Sequence, residues 1–105
     1  MGAKSVFKLS LPEVERVVRV RAGLTGNVRL TLHALTRMKS RHINREEVYD
    51  VLCKGRLARA PEPNLALGSL ECRMQRFMAG RELAVVAAIS DDEPTVIVVT
   101  AIILD

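Results

Sequence analysis

Residues 82–103 read ELAVVAAISDDEPTVIVVTAII, and this stretch decides the architecture. Glu82–Ser90 and Thr95–Ile103 are rich in Val, Ile and Ala and apolar on both faces, which is the pattern of strands inside a sheet. The DDEP between them is turn chemistry. Immediately upstream, Leu70–Met78 has the composition of a third strand, and Ala79-Gly80 supplies the turn that joins it to the next. Further back, Arg56–Ala60 reads as a first strand, followed by a connection bearing Pro61 and Pro63.

The segments before residue 56 follow a different grammar. In SLPEVERVVRVRAG, Ser10 is an N-cap, Pro12 sits in the first turn and Gly23 closes the pattern, which predicts a helix over Leu11–Ala22. Thr31 can cap a second helix over Leu32–Ser40, with Ala34, Leu35 and Met38 facing inward. NREEVYDVLCKG repeats the signal with Asn44 as cap, Glu47 at the capping-box position and Gly55 as the stop. The expected fold is α+β: three helices, then a four-stranded antiparallel β meander with the helices on one sheet face. Residues 1–105 are expected to form one domain, with 1–27 as an N-terminal extension and helix and 28–105 as the main unit.

Charge is unevenly distributed along the 105 residues. Residues 1–60 hold 13 Lys/Arg against 5 Asp/Glu, and residues 61–105 hold 3 against 7, so a net +8 precedes a net −4. That asymmetry points to an anionic partner for the N-terminal part, and an aromatic content of 3% means that charge rather than base stacking would hold a nucleic acid. Cys53 and Cys72 lie among apolar neighbours without metal-ligand or disulfide-framework spacing. The opening MGAKSVFKLS lacks the apolar run of a signal peptide, and no stretch is long enough to span a bilayer, so the expected location is cytoplasmic, away from membranes.

The chemistry concentrates in TLHALTRMKSRHI, residues 31–43. At i, i+4 and i+8 the side chains of His33, Arg37 and Arg41 drift by only about 40° per step, so they form one helix ridge. Three potentially cationic groups in line cannot be core, and they face solvent, carboxylates or a bound anion. Arg73, Arg76 and Arg81 are the positive charges of the acidic part, and strand alternation sends Arg73 and Arg76 to opposite faces. Thr100 places a hydroxyl among the valines and isoleucines of the last strand. Guanidiniums around a phosphate, with an imidazole to move protons, make phosphoryl transfer possible without a metal or cofactor.

VRLTLHALTRMKSRHINREEVYDVLCKGRLARAPEP, with CRMQRFMAGRELAVVAAI and VIVVTAI, resembles the domain of unknown function 4258 family. The resemblance rests on His33-Ala34, Arg37-Met38, Arg41, Ile43, Val48, Gly55, Ala79-Gly80-Arg81 and Thr100. It implies a RelE-like fold from a wider group of small ribonucleases, with His33, Arg37 and Arg41 as the polar signature of the second helix and Thr100 as that of the last strand. Leu70 stands where a tryptophan would be expected in near relatives, and His42 where glycine is commoner.

Two functional expectations follow. One is an endoribonuclease of toxin–antitoxin type: His33 is the acid or base, Arg37, Arg41 and Arg81 grip phosphate beside Thr100, and Arg16, Arg19, Arg73 and Arg76 add RNA contacts. RNA and an antitoxin-type protein are its expected partners. The other is a non-catalytic module that binds protein or nucleic acid through Arg16, Arg19, Arg37 and Arg41; beside both stands a homodimer, in place of a monomer, formed through the Arg56 strand or the C-terminal one with no ligand at all.

Overall fold

Each of the three α-helices of the protein starts where a side chain takes up one of its first free N–H groups. The computed structural model describes residues 4–104, so the first three residues of the expected N-terminal extension lie outside the described residues. In α1 (Leu11–Ala22), Ser10 Oγ accepts from the Glu13 N–H at 3.3 Å, and Glu13 Oε1 accepts from the Ser10 N–H at 2.9 Å. This reciprocal cap satisfies two donors that helix geometry leaves orphaned. Thr31 caps α2 (Leu32–Ser40), and Asn44 with Glu47 forms a second reciprocal cap on α3 (Arg45–Lys54). Val14, Val18 and Ala22 form the buried stripe of α1, Ala34 and Met38 that of α2, and Val48, Val51 and Leu52 that of α3.

The sheet departs from the four-stranded antiparallel meander. It is mixed and six-stranded: β1 (Val28–Leu30), β2 (Arg56–Leu57), β3 (Glu62–Asn64), β4 (Ser69–Met78), β5 (Arg81–Ser90) and β6 (Val96–Leu104). The order is β1-β6-β5-β4-β2, with β3 also on β4, and β1 runs parallel to β6. Two strands escape sequence reading for a physical reason: at three residues each they are too short to display a period of two. Pro63 lies within β3 because an edge strand has one side without ladder bonds, where a missing N–H is tolerated. The expected Arg56–Ala60 strand contracts to Arg56–Leu57.

Strands β2 and β3 are the two halves of one interrupted edge. Leu57 opposes Met74 and Glu62 opposes Glu71, so five steps of chain face three on β4 and two residues loop outward. At the other edge, β1 pairs only with Val96–Val98, so β6 is not fully central: its remaining length is bordered by α2.

A bulge settles which side chains of β6 turn inward. Val86 opposes Thr100 but Ala87 opposes Val98, leaving Val99 as the extra residue. Val98 and Ala101, three apart, therefore both reach the helix-covered face, while Thr100 joins Val86 on the other. The core lies between the three helices and one sheet face carrying Leu70, Cys72, Met74, Leu83, Val85 and Ile89. Leu70, set where a tryptophan would be expected, is 4% exposed and part of this core. The opposite face carries Glu71, Arg73, Ala84, Val86, Ile97 and Thr100.

Candidate functional site

The ridge on α2 is held against β6 at both ends. At the start, the Thr31 hydroxyl donates to the Val98 carbonyl at 3.0 Å while accepting from the Ala34 N–H at 3.0 Å, so one side chain caps the helix and pins it to the bulged strand. At the far end, Arg41 Nη1 donates to the Ala101 carbonyl at 2.7 Å, taking an acceptor that no strand covers. The flank that Arg41 turns to β6 is the one carrying His33 and Arg37, by the spacing of four. Both are exposed, and among the described residues neither side chain makes a hydrogen bond or ion pair. Arg41 is half-buried and meets no carboxylate.

Arg81 is placed differently. Its Nη2 lies 2.9 Å from Glu47 Oε2 and donates to the His42 carbonyl at 2.7 Å, so it ties the start of β5 to α3 and to the turn between α2 and α3. That turn contains His42 at φ 55°, a left-handed conformation that explains why glycine would suit the position. The His42 side chain is exposed. Arg81 thus fixes the backbone of Arg41 and His42, and its guanidinium already has an anion.

Glu47 is the group through which acid should act on this junction. Its carboxyl is held below the usual glutamate value, chiefly by the Asn44 N–H it accepts at the α3 cap, against a desolvation that opposes the shift, and then by Arg81. A depressed carboxyl contributes stability that is complete above the unfolded-state pKa and is lost as pH falls through the folded one. Glu47→Gln is therefore expected to flatten the fall in melting temperature on the acid side while lowering stability near neutrality. An unchanged acid limb in a pH series of thermal melts would show that the junction is not the acid-sensitive element.

On the open sheet face, Arg73, Val86 and Thr100 stand in one row across β4, β5 and β6. With strands about 4.8 Å apart, Arg73 and Thr100 are roughly 10 Å from one another at the backbone. Arg73 is half-buried, its Nε is shielded from solvent without a hydrogen-bond partner, and no carboxylate lies in ion-pair range among the described residues. Thr100 makes no side-chain hydrogen bond there either. Arg76 points to the opposite, helix-covered face, as strand alternation predicts. Its Nε lies 2.8 Å from Asp50 Oδ2 with the N–H not aimed at the oxygen, an ion contact rather than a hydrogen bond.

The α1 arginines also divide. Arg19 donates from Nε and Nη2 to the Gly55 carbonyl at 2.9 and 2.6 Å and pairs with Glu15 at 3.3 Å, which makes it a brace between α1 and the end of α3. Arg16 is exposed and unpaired among the described residues. Among the described residues the fold thus leaves His33, Arg37, Arg73 and Arg16 without polar partners and commits Arg19, Arg76 and Arg81 to carboxylates. Sequence reasoning overlooked Arg29, exposed in β1 beside Ile97, because that strand carries no periodic signal.

Neither cysteine is placed for nucleophilic work. Burial pushes the Cys72 thiol up to about 12, and burial with Asp50 nearby raises that of Cys53. Among the described residues no three His, Cys, Asp or Glu side chains gather as metal ligands. No helix there is long and apolar enough to cross a membrane.

Neither a curated protein nor a solved structure matches the chain. A family profile does match, over residues 30–103, a span that begins at the end of β1, takes in α2 with its ridge and ends one residue short of the end of β6. By that match the chain belongs to the family described as Domain of unknown function (DUF4258).

Proposed function

We propose that the protein is a metal-independent endoribonuclease of toxin–antitoxin type, related to the RelE-like toxins, which cleaves RNA by attack of a ribose 2′-hydroxyl on the adjoining phosphate. One observation carries this reading: Arg41 of the α2 ridge that also bears His33 and Arg37 donates to the Ala101 carbonyl of β6, Arg73 lies in register with Thr100 on the open face, and no carboxylate is paired to any of the four cationic groups among the described residues. A polar row of Arg73 and Thr100 then offers a phosphate both charge and a hydroxyl on the open face. Partly buried guanidiniums without anions attract phosphate because their desolvation is otherwise uncompensated.

In the reaction the O2′–phosphorus bond forms and the phosphorus–O5′ bond breaks. The 2′-hydroxyl proton passes to a base, the departing 5′-oxygen gains a proton, and the products are a 2′,3′-cyclic phosphate and a 5′-hydroxyl. His33 supplies the imidazole that moves the protons, and Arg37, Arg41 and Arg73 stabilise the charge growing on the phosphoryl oxygens. Arg81 acts through Arg41, by fixing the turn from which Arg41 reaches Ala101. Arg16 adds long-range attraction from α1.

A second reading, binding without turnover, is favoured by the His33 ring, which has no partner among the described residues to fix its tautomer. Incubation of the full chain with an end-labelled RNA in the presence of a chelator separates the two. Cleavage leaving 2′,3′-cyclic ends is expected, and a 2′-O-methyl RNA is expected to bind intact. Three phosphate contacts on a single strand predict a log–log salt slope of about −2, and Arg73→Gln should flatten it by about 0.7. RNA that is bound but never cut supports the second reading, and RNA that is neither bound nor cut removes the nuclease and leaves only a module that binds protein.

A further inference from the structure

Away from the basic flank, the same open sheet face ends in a cavity of about 490 Å³, within the range typical of small-ligand sites. Its floor is apolar, formed by Ala88 of β5 with Ile97 and Val99 of β6, and its rim includes the β5–β6 turn and the hairpin that joins β3 to β4. Val99 shares the face of Ile97 by strand alternation, since Val98 between them turns into the core. Leu67, 76% exposed at the tip of that hairpin, stands at the rim as apolar surface without a partner.

Three carboxylates line the cavity: Glu71 from β4, and Asp92 and Glu93 from the turn. Among the described residues none of the three is in an ion pair, although seven other pairs form elsewhere on the molecule. Ser69 adds a polar group of a different kind. The residue is 8% exposed, the one buried polar residue among the described residues, and it lines the cavity with a hydroxyl that makes no hydrogen bond to the protein there. The neighbouring cations pair with none of these carboxylates: Arg21 stands at the turn and donates to the backbone carbonyls of Ser90 and Glu93, Arg29 is in register with Ile97, and Arg73 is two residues along β4. None of the three lines the cavity.

We propose that this cavity binds a small organic cation, an amine whose ammonium lies against Glu71, Asp92 and Glu93 and whose apolar body rests on Ala88, Ile97 and Val99. Charge excludes an anion from such a rim, so the site is chemically opposite to the phosphate-binding flank on the same face. A bare metal ion fits poorly, because these carboxylates do not converge as a ligand set. The Ser69 hydroxyl accepts a second ammonium hydrogen, and Leu67 covers the distal end of the body.

Titration of the ¹⁵N-labelled full chain with hexylamine, hexanol and hexanoate, followed by amide shifts, tests the assignment. Hexylamine is expected to shift residues 69–71, 88–90, 92–93 and 95–97 and to bind about tenfold more tightly than hexanol, the increment of one charged hydrogen bond. Hexanoate should not bind. The Glu71→Gln, Asp92→Asn double variant should remove that tenfold advantage and leave hexanol unaffected, with its own spectrum reporting the fold. Equal binding of amine and alcohol, shifts centred elsewhere, binding of hexanoate, or no binding of any probe would each overturn the proposal.

Discussion

His33→Ala is expected to lower the rate of RNA cleavage by roughly 10²- to 10⁴-fold, the usual contribution of one positioned acid or base, while changing RNA affinity much less. The separation follows from where the side chain sits. His33 is in the first turn of α2, exposed and free of hydrogen bonds among the described residues, so its removal deletes no contact that holds the fold. Alanine is also the better helix former, which makes a loss of folding an unsuitable explanation for lost activity. Arg73→Gln is the complementary variant, since it weakens binding as well as rate by removing charge on the open face. A His33→Ala protein that cleaves within a factor of ten of the parent would assign the proton transfer to another group.

Gly55→Ala is expected to destabilise the protein by about 3 kcal/mol or more, at the upper end of overpacking effects, and to lower the melting temperature by roughly 10–20 °C. The φ of −74° at Gly55 is open to any residue, so the reason is space. A Cβ there would stand 2.7 Å from the Gln75 carbonyl oxygen and closer still to that of Val51, and both obstacles are backbone. Relief requires the end of α3 to move off β4, and the same movement displaces the Gly55 carbonyl that Arg19 holds from α1. At Gly26, where an added Cβ meets nothing within 4 Å, the same substitution should stay within about 0.5 kcal/mol. Urea unfolding of the two variants compares them directly, and similar midpoints would show that the α3–β4 junction yields more readily than its geometry implies.

The two predictions concern opposite ends of one arrangement. Gly55, Arg19 and Arg81 lock the helices to the sheet, and that rigidity lets α2 present His33 and Arg37 with no structural duty of their own. Arg81 shows how a candidate changes meaning on folding. As one of three cations in an acidic segment it reads as a phosphate ligand, yet in space it meets Glu47 and two carbonyls of the preceding turn. Glu47 is 34 positions away, and the pairing depends on how α3 lies against β5.

What the sequence determined by itself is local. Ser10 with Glu13, Thr31, and Asn44 with Glu47 specify three helix starts, because capping is a contact between residues three apart and needs no knowledge of the rest of the chain. The apolar runs at 82–90 and 95–103 likewise announce strands. The mixed sheet, the parallel β1, the broken β2–β3 edge and the bulge at Val99 were decided only in three dimensions. Short strands and bulges are held by partners distant in the chain, and a three-residue segment such as Val28–Leu30 is a strand only because Val96–Val98 lies beside it. The same holds for charge: all the arginines look alike in sequence, and the packed structure alone separates those spent on carboxylates from those left open to an anion.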